Sequence, residues 1–335
     1  MLTRSRSLGN RFTPHLRRAL SAFRQHPARH LAVLGILVIA ALAWGAYGDA
    51  LGAKPSTASP PAAQEYAGSD ACMTCHADQA KLMDKTVMGK IMLHFPRTDL
   101  EKRGCEACHG PRSRHVDDPA NPAYQQRLFG KYAAKASPEK QNAVCIGCHD
   151  KGEHLYWQGS VHQRRQLACV RCHTAHQDIS PTHQLAKPDE FQLCGQCHQV
   201  RRAQLQRTSH MPMRESKMTC SDCHNPHGSV TAKLLRGNTA NDLCYRCHAE
   251  KRGPFLWEHQ PVKESCMNCH EPHGSINDHL LKRKAERLCQ ACHITNRHPT
   301  QPHDFNTRFV FNRSCRNCHP MIHGSNDPSG RFFLR

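Results

Sequence analysis

The longest apolar stretch of the chain is residues 31–43 (LAVLGILVIAALA), and it stays uncharged through Trp44 to Tyr47. It follows a segment, residues 1–30, with seven Arg and no Asp or Glu. A basic lead, an apolar run of about 7–15 residues and small residues at 41–43 and 51–53 together make a secretory signal, read here as residues 1–53. Counted through Tyr47, the run also reaches the lower end of the roughly 17–25 residues that span a bilayer, so an uncleaved anchor is the second reading. In both cases the remainder is exported. Residues 54–65 (KPSTASPPAAQE) carry no apolar period and read as a Pro/Ala/Ser linker.

Beyond residue 65 neither helical nor strand periodicity is sustained. Period-2 alternation is nearly absent, so almost no β-sheet is expected. Short helices are expected at residues 138–144 and around several of the motifs described below, with irregular chain elsewhere. Composition sharpens the problem. Hydrophobic residues are 38% with Cys included, aromatics only 6%, and there are 21 Pro and 20 Gly among 335 residues. Neither a doubly wound α/β fold nor a helical bundle fits this pattern. Something other than Leu, Ile and Phe must fill the interior.

The 20 Cys say what does. In an exported chain many Cys ordinarily mean a disulfide framework, but here every one belongs to a C-x-x-C-H motif. The ten copies are Cys72/Cys75/His76, Cys105/Cys108/His109, Cys145/Cys148/His149, Cys169/Cys172/His173, Cys194/Cys197/His198, Cys220/Cys223/His224, Cys244/Cys247/His248, Cys266/Cys269/His270, Cys289/Cys292/His293 and Cys315/Cys318/His319. Two thiols three positions apart add to the two vinyl groups of one haem, and the adjoining His becomes the proximal ligand of its iron. Zinc sites and thiol-exchange motifs do not require a His after every second Cys. The sequence therefore implies ten c-type haems. Cleavage after Ala53 leaves 282 residues, about 28 per haem, so the macrocycles serve as the core.

The charge is consistent with that. The whole chain has 46 Lys and Arg against 27 Asp and Glu, a formal net charge of +19. A basic chain often marks a nucleic-acid or membrane binder. Without residues 1–53 the balance is +13; twenty haem propionates would add up to about −20 and ten ferric irons about +10, so the loaded protein is near neutral and no nucleic-acid partner is expected.

From residue 145 onward the motifs recur every 22 to 26 residues, and CSDCHNPHGS at 220–229 repeats as CMNCHEPHGS at 266–275. Such repetition marks an array in which each unit contacts its neighbours. The fold class is therefore a multihaem cytochrome c, mostly irregular with short α-helices, organised round a linear array of ten haems. It divides into two pentahaem halves, residues 66–200 and 201–335. Fourteen His beyond the signal are not proximal: His94, His115, His154, His162, His176, His183, His210, His227, His259, His273, His279, His298, His303 and His323. They exceed the ten irons, which favours six-coordinate bis-His ligation. His176, His227, His273 and His323 lie three or four residues after a proximal His, too close to wrap round the same macrocycle, so each must ligate a different haem. His154, His183, His279 and His303 read as ordinary loop residues.

The segments TCSDCHNPHGS (219–229), CHAEKRGPFLWEHQPV (247–262), CMNCHEPHGSIND (266–278) and SCRNCHPMIHGSNDPSG (314–330) resemble the decahaem c-type cytochromes of the MtrA/DmsE family, over residues 66–335. The resemblance implies an electron-transfer role without substrate chemistry. It implies a row of haems threaded through an outer-membrane β-barrel porin, exchanging electrons with periplasmic or inner-membrane cytochromes and with a surface multihaem cytochrome or extracellular metal. It also implies distal ligation by His115, His162, His176, His210, His227, His259, His273, His298 and His323. At the tenth position the family's Val-His-Gly is replaced by Val87–Met88–Gly89, with His94 six residues on, so Met88 and His94 both stand as candidates. A soluble periplasmic shuttle and a multihaem reductase are the alternative functions.

Overall fold

The computed structural model describes residues 65–125, 127–129, 136–294, 314–328 and 330–334. The signal, nearly all of the linker, and His298 and His303 lie outside them. The described residues belong to one unit, Gln64–Arg335. As expected, they are mostly irregular, with short helices and no strand beyond isolated bridges.

The α-helices in order are α1 (Ser69–Cys75), α2 (Ala77–Met83), α3 (Val87–His94), α4 (Cys105–His109), α5 (Ser113–Asp117), α6 (Pro138–Ile146), α7 (Val161–Arg164), α8 (Glu190–Cys194), α9 (Gln199–Gln204), α10 (Ala240–Tyr245), α11 (Gln260–Glu264) and α12 (Ala285–Gln290). None is long and apolar enough to cross a membrane. Isolated helices this short are unstable in water, so each depends on its caps and covalent surroundings. Ser137 caps α6, Asp189 caps α8 and Thr239 caps α10, each side chain accepting from the backbone N–H three residues on.

A two-motif period emerges. The motifs beginning at Cys145, Cys194, Cys244 and Cys289 each grow out of an α-helix. Those beginning at Cys169, Cys220, Cys266 and Cys315 form a single 3₁₀ turn. After three of the latter the chain doubles back, and His173, His224 and His270 form bridges with Leu185, Leu235 and Leu281.

Side chains do not supply a core. Among the described residues the buried hydrophobic ones are Met83, Trp157, Ala168, Leu185, Leu193, Leu205 and Met213, fewer than the nine buried polar ones. The polar groups act as clamps. Asn142 Nδ2 donates to Leu167 O at 3.0 Å while its Oδ1 accepts from Cys169 N at 2.8 Å. Asn241, at the same place one repeat later, donates to Val262 O and accepts from Cys266 N. Glu190 takes both the backbone N–H and the hydroxyl of Ser221. Each clamp ties a helical motif to the 3₁₀ motif that follows. Glu106, also buried, accepts from the N–H groups of Ala67, Gly68 and Arg112 and anchors the start of the described chain to the second motif.

Asn241→Ala leaves the Cys266 N–H without its side-chain acceptor in a buried setting, a cost of about 1–3 kcal/mol. The expected outcome is a lowered urea midpoint for the haem-loaded protein, with no change for Gln199→Ala on the exposed end of α9.

Candidate functional site

Seven of the ten proximal His rings face another His ring at a nearly constant separation. His76 faces His115 with centroids 6.4 Å apart and planes 25° off parallel. His109 faces His176 at 5.9 Å and 26°, His173 faces His227 at 5.9 Å and 18°, and His224 faces His273 at 6.2 Å and 15°. His270 faces His323 at 6.3 Å and 14°, and His293 faces His259 at 6.2 Å and 24°. His198 meets His162 at 6.2 Å with planes 63° apart.

These separations are too wide for direct stacking contact. Two metal–imidazole bonds of about 2 Å each, with the ring radii, put two ring centres about 6 Å apart across one metal ion. The residues therefore fit the haem iron that the motifs imply. In all seven pairs the second ring comes from outside the proximal ring's own motif.

Backbone carbonyls fix which nitrogen faces inward. His173 Nδ1 donates to His183 O at 2.8 Å, His224 Nδ1 to Lys233 O at 2.8 Å, His270 Nδ1 to His279 O at 2.8 Å and His319 Nδ1 to Phe332 O at 2.5 Å. On the other side, His162 Nδ1 donates to Pro226 O at 2.7 Å and His259 Nδ1 to Ile322 O at 3.0 Å. Each bond leaves Nε2 free for a metal and makes the ring a stronger donor. Three of the acceptors are held by backbone strain. His183 with Gln184, Lys233 with Leu234, and His279 with Leu280 all have φ between 48° and 60°, a left-handed conformation that residues with a Cβ disfavour. Thus His183 and His279 contribute carbonyl oxygens to neighbouring proximal rings. These acceptors escape sequence reasoning because any residue has a carbonyl; the recurrent Leu ten to twelve residues after the His was the available signal.

The thiols stand in series. Burial pushes Cys72 up to about 11, with Cys105 beside it, and Cys244 up to about 12, with Cys266 beside it. A hydrogen bond from Cys169 pulls Cys145 down to about 7, and one from Cys194 lowers Cys220. Burial also raises Cys289, to about 11, with Cys315 next to it. These contacts join motifs one with two, three with four, and so on to ten. The second Cys of a motif makes the other connections: Cys108 lies within electrostatic reach of Cys145 and Cys148, Cys172 of Cys197, Cys223 of Cys247 and Cys269 of Cys292. Every motif thus adjoins the next. Burial holds His109, His227 and His323 down at about 4, so they are neutral at pH 7 and able to ligate. Among the described residues no three His, Cys, Asp or Glu side chains converge on one point as a protein-only metal site needs.

The motif members are not equally enclosed: Cys75, Cys148, Cys197, Cys247, Cys292, Cys315 and Cys318 are exposed, as are His76, His149, His198, His248 and His293. His248, expected as the proximal ligand of the seventh motif, is exposed and is not among the seven facing pairs. A 3₁₀ turn, Ala249–Lys251, starts directly after it and brings Glu250 back to the ring, so that His248 Nδ1 lies 3.6 Å from the Glu250 carboxylate. Cys318, expected as the second attachment thiol of the tenth motif, is exposed as well. Cys108, Cys172, Cys223 and Cys269, in contrast, are half-buried within reach of the motif that follows each. Polypeptide therefore encloses neither residue in the way it encloses His109 or Cys108.

The remaining candidates are placed differently. His210 turns its Nε2 to Glu215 at 3.1 Å and its Nδ1 to Arg207 O at 2.6 Å, and makes no stacked pair with a proximal ring. His94 pairs with Asp84 and is about half exposed. Met88 is half-buried on α3. His154, read as a loop residue, lies between His149 and His227, at 5.6 Å and 4.2 Å.

Comparison with known proteins gives the same picture. Residues 210–253 and 259–298 each match a family model described as a doubled CXXCH motif. Residues 105–197 match one for NrfB-like cytochrome c-type proteins, and residues 52–110 one for cytochrome c554 and c-prime. The chain is 44% identical over 279 residues to the multiheme cytochrome MtrA of Shewanella baltica, covering 80% of this chain and 81% of the relative. It is 27% identical over 143 residues to the cytochrome c-type protein NrfB of Haemophilus influenzae, covering 38% of this chain and 63% of the relative.

His273→Ala is expected to open the iron facing His224, converting one iron's worth of ferric signal from low to high spin in electron paramagnetic resonance with the haem count unchanged. A fully low-spin spectrum would contradict the pairing.

Proposed function

The chain belongs to the family of multihaem c-type cytochromes that includes MtrA, and from that premise we propose that it is a ten-haem conductor carrying electrons across the outer membrane inside a β-barrel porin. The supporting observation is the set of seven facing His pairs, in which both sides of each site are filled by the protein. A site closed on both sides leaves no position for a substrate, which suits electron transfer rather than catalysis. The haems, when bound, supply one-electron irons whose potentials follow their axial ligands and hydrogen bonds.

The chain's own residues do the rest. The C-x-x-C thiols anchor each group, and the adjoining His takes one face. Cys318 and His248 keep these roles in spite of their exposure, because an attached macrocycle covers the surface that the polypeptide leaves open. His115, His162, His176, His210, His227, His259, His273, His298 and His323 take the opposite face at nine sites. The carbonyls of residues 183, 233, 279 and 332 orient proximal rings, and the Cys contacts keep successive sites adjacent. In this reading residues 1–53 direct export, 54–65 form a spacer, and 66–200 and 201–335 carry five haems each.

The porin is required by solvation. The irregular backbone and charged loops cannot face lipid, and no described helix spans a membrane. A row of ten haems exceeds the outer membrane's hydrocarbon thickness of roughly 25–30 Å, and a barrel of about 26 strands has the lumen to enclose it. Periplasmic or inner-membrane cytochromes are then the partners at one end, with a surface cytochrome or extracellular metal at the other.

Mass spectrometry of the exported protein is expected to show ten covalently bound haems and no alkylatable thiol, Cys318 included. In liposomes enclosing a redox dye, an external reductant should reduce the dye only when this protein and its porin are both present. Equal rates without the porin would favour a soluble shuttle.

A further inference from the structure

Two distal rings that precede their partners in sequence follow one rule. His162 faces His198 and His259 faces His293, in each case the second motif downstream. Both also donate from Nδ1 to the carbonyl just before a later distal His, Pro226 O before His227 and Ile322 O before His323. His162 is the second residue of α7, whose cap Ser160 accepts from Gln163 N at 3.1 Å.

Met88 occupies the same register. It is the second residue of α3, whose cap Thr86 accepts from Gly89 N at 3.0 Å. The second motif downstream of Met88 is the one ending in His149. The equivalent carbonyl is Ala175 O, just before His176. A thioether has no N–H to offer it. Instead the Thr86 hydroxyl, its proton shared with Met83 O at 2.7 Å, lies 3.3 Å from that carbonyl, and Thr86 is only 1% exposed. Gly89 packs so closely on the end of α2 that a Cβ would strike Met83 O, which fixes α3 in place. Among the described residues no imidazole from another segment faces His149 as one faces the seven paired rings. Its neighbour His154, 5.6 Å away, lies five residues on in the same loop and also abuts His227 at 4.2 Å. His94 points to Asp84.

We propose that the Met88 sulfur is the axial ligand opposite His149, and that Thr86 positions its segment by taking over the contact an imidazole makes at the other sites. The proposal rests on the multihaem reading above. A thioether is a weaker donor than imidazole and favours the ferrous state, so this haem, third from the N-terminus, has the highest potential of the series.

The test uses the ten-haem protein in isolation, by near-infrared magnetic circular dichroism and optical redox titration. The wild type is expected to show one His/Met iron, with a sulfur-to-iron band and one redox component above the rest. Met88→Ala should lose the band and gain one high-spin iron. Met88→His should lose the band, stay low-spin and bring the high component down among the others. Met92→Ala and His94→Ala should leave the spectra unchanged. His149→Ala should abolish the band with nine haems by mass, whereas His109→Ala should retain it. Thr86→Val should weaken the band and shift the high component, and Thr86→Ser should restore both. No band in the wild type, a band surviving in Met88→Ala, or a high-spin iron in His94→Ala would overturn the ligand assignment. A band lost in His109→Ala instead would overturn its place, and a wild-type spectrum and potential in Thr86→Val would overturn the positioning role. None of these readouts involves a membrane, so failure of porin-dependent transfer and failure of this assignment are separately visible.

Discussion

Iron ligation shared between distant segments is the constraint on which everything else depends. A chain with seven buried hydrophobic residues in its described part cannot hold itself together by apolar packing. A motif that supplies two thioethers and one imidazole fixes only its own few residues. In the proposed reading a sixth ligand, arriving from another motif's flank, turns the iron at each of the seven facing pairs into a tertiary cross-link. His176 faces His109 and His227 faces His173, each from a later segment, while His162 faces His198 from an earlier one. Cross-links running both ways along the sequence make the array continuous.

The two-motif period follows from that exchange. A helical motif and a 3₁₀ motif are clamped by one buried polar side chain, Asn142 or Asn241, or by Glu190, and the 3₁₀ motif's trailing loop carries both a His that faces the proximal ring of an earlier motif and a strained carbonyl for its own proximal ring. In the PHGS loops, Gly228 and Gly274, with φ of 128° and 136°, abut Tyr156 O and Gln204 O, where any Cβ would collide. Backbone strain at Lys233 and Leu234 is tolerated because thioether and metal bonds over-determine the loop around them.

Much of this was legible in the sequence because covalent haem attachment needs a fixed residue pattern. The ten motifs, the near absence of sheet, the helix beginning at Pro138 and the surplus of His could all be read from residue types. What could not be read is carried by groups every residue owns. The carbonyls of Lys233, His279 and Phe332 leave no compositional trace, and neither does the register that sets Thr86 beside Ala175. The motif pattern is equally silent on enclosure, which is why the surface positions of His248 and Cys318 emerge only from the fold. The partner of each distal His was likewise hidden, since spacing shows that His227 cannot ligate its own motif's iron but not that His173 is the ring opposite.

The most direct test of shared ligation is an anomalous-difference map collected at the iron edge from crystals of the ten-haem protein. The account places one iron between the rings of each of the seven pairs, His76 with His115 through His270 with His323, each iron bonded to one ring from its own motif and one from another. Irons ligated by two residues of the same segment, or facing partners such as His224 and His273 found on different irons, would contradict it.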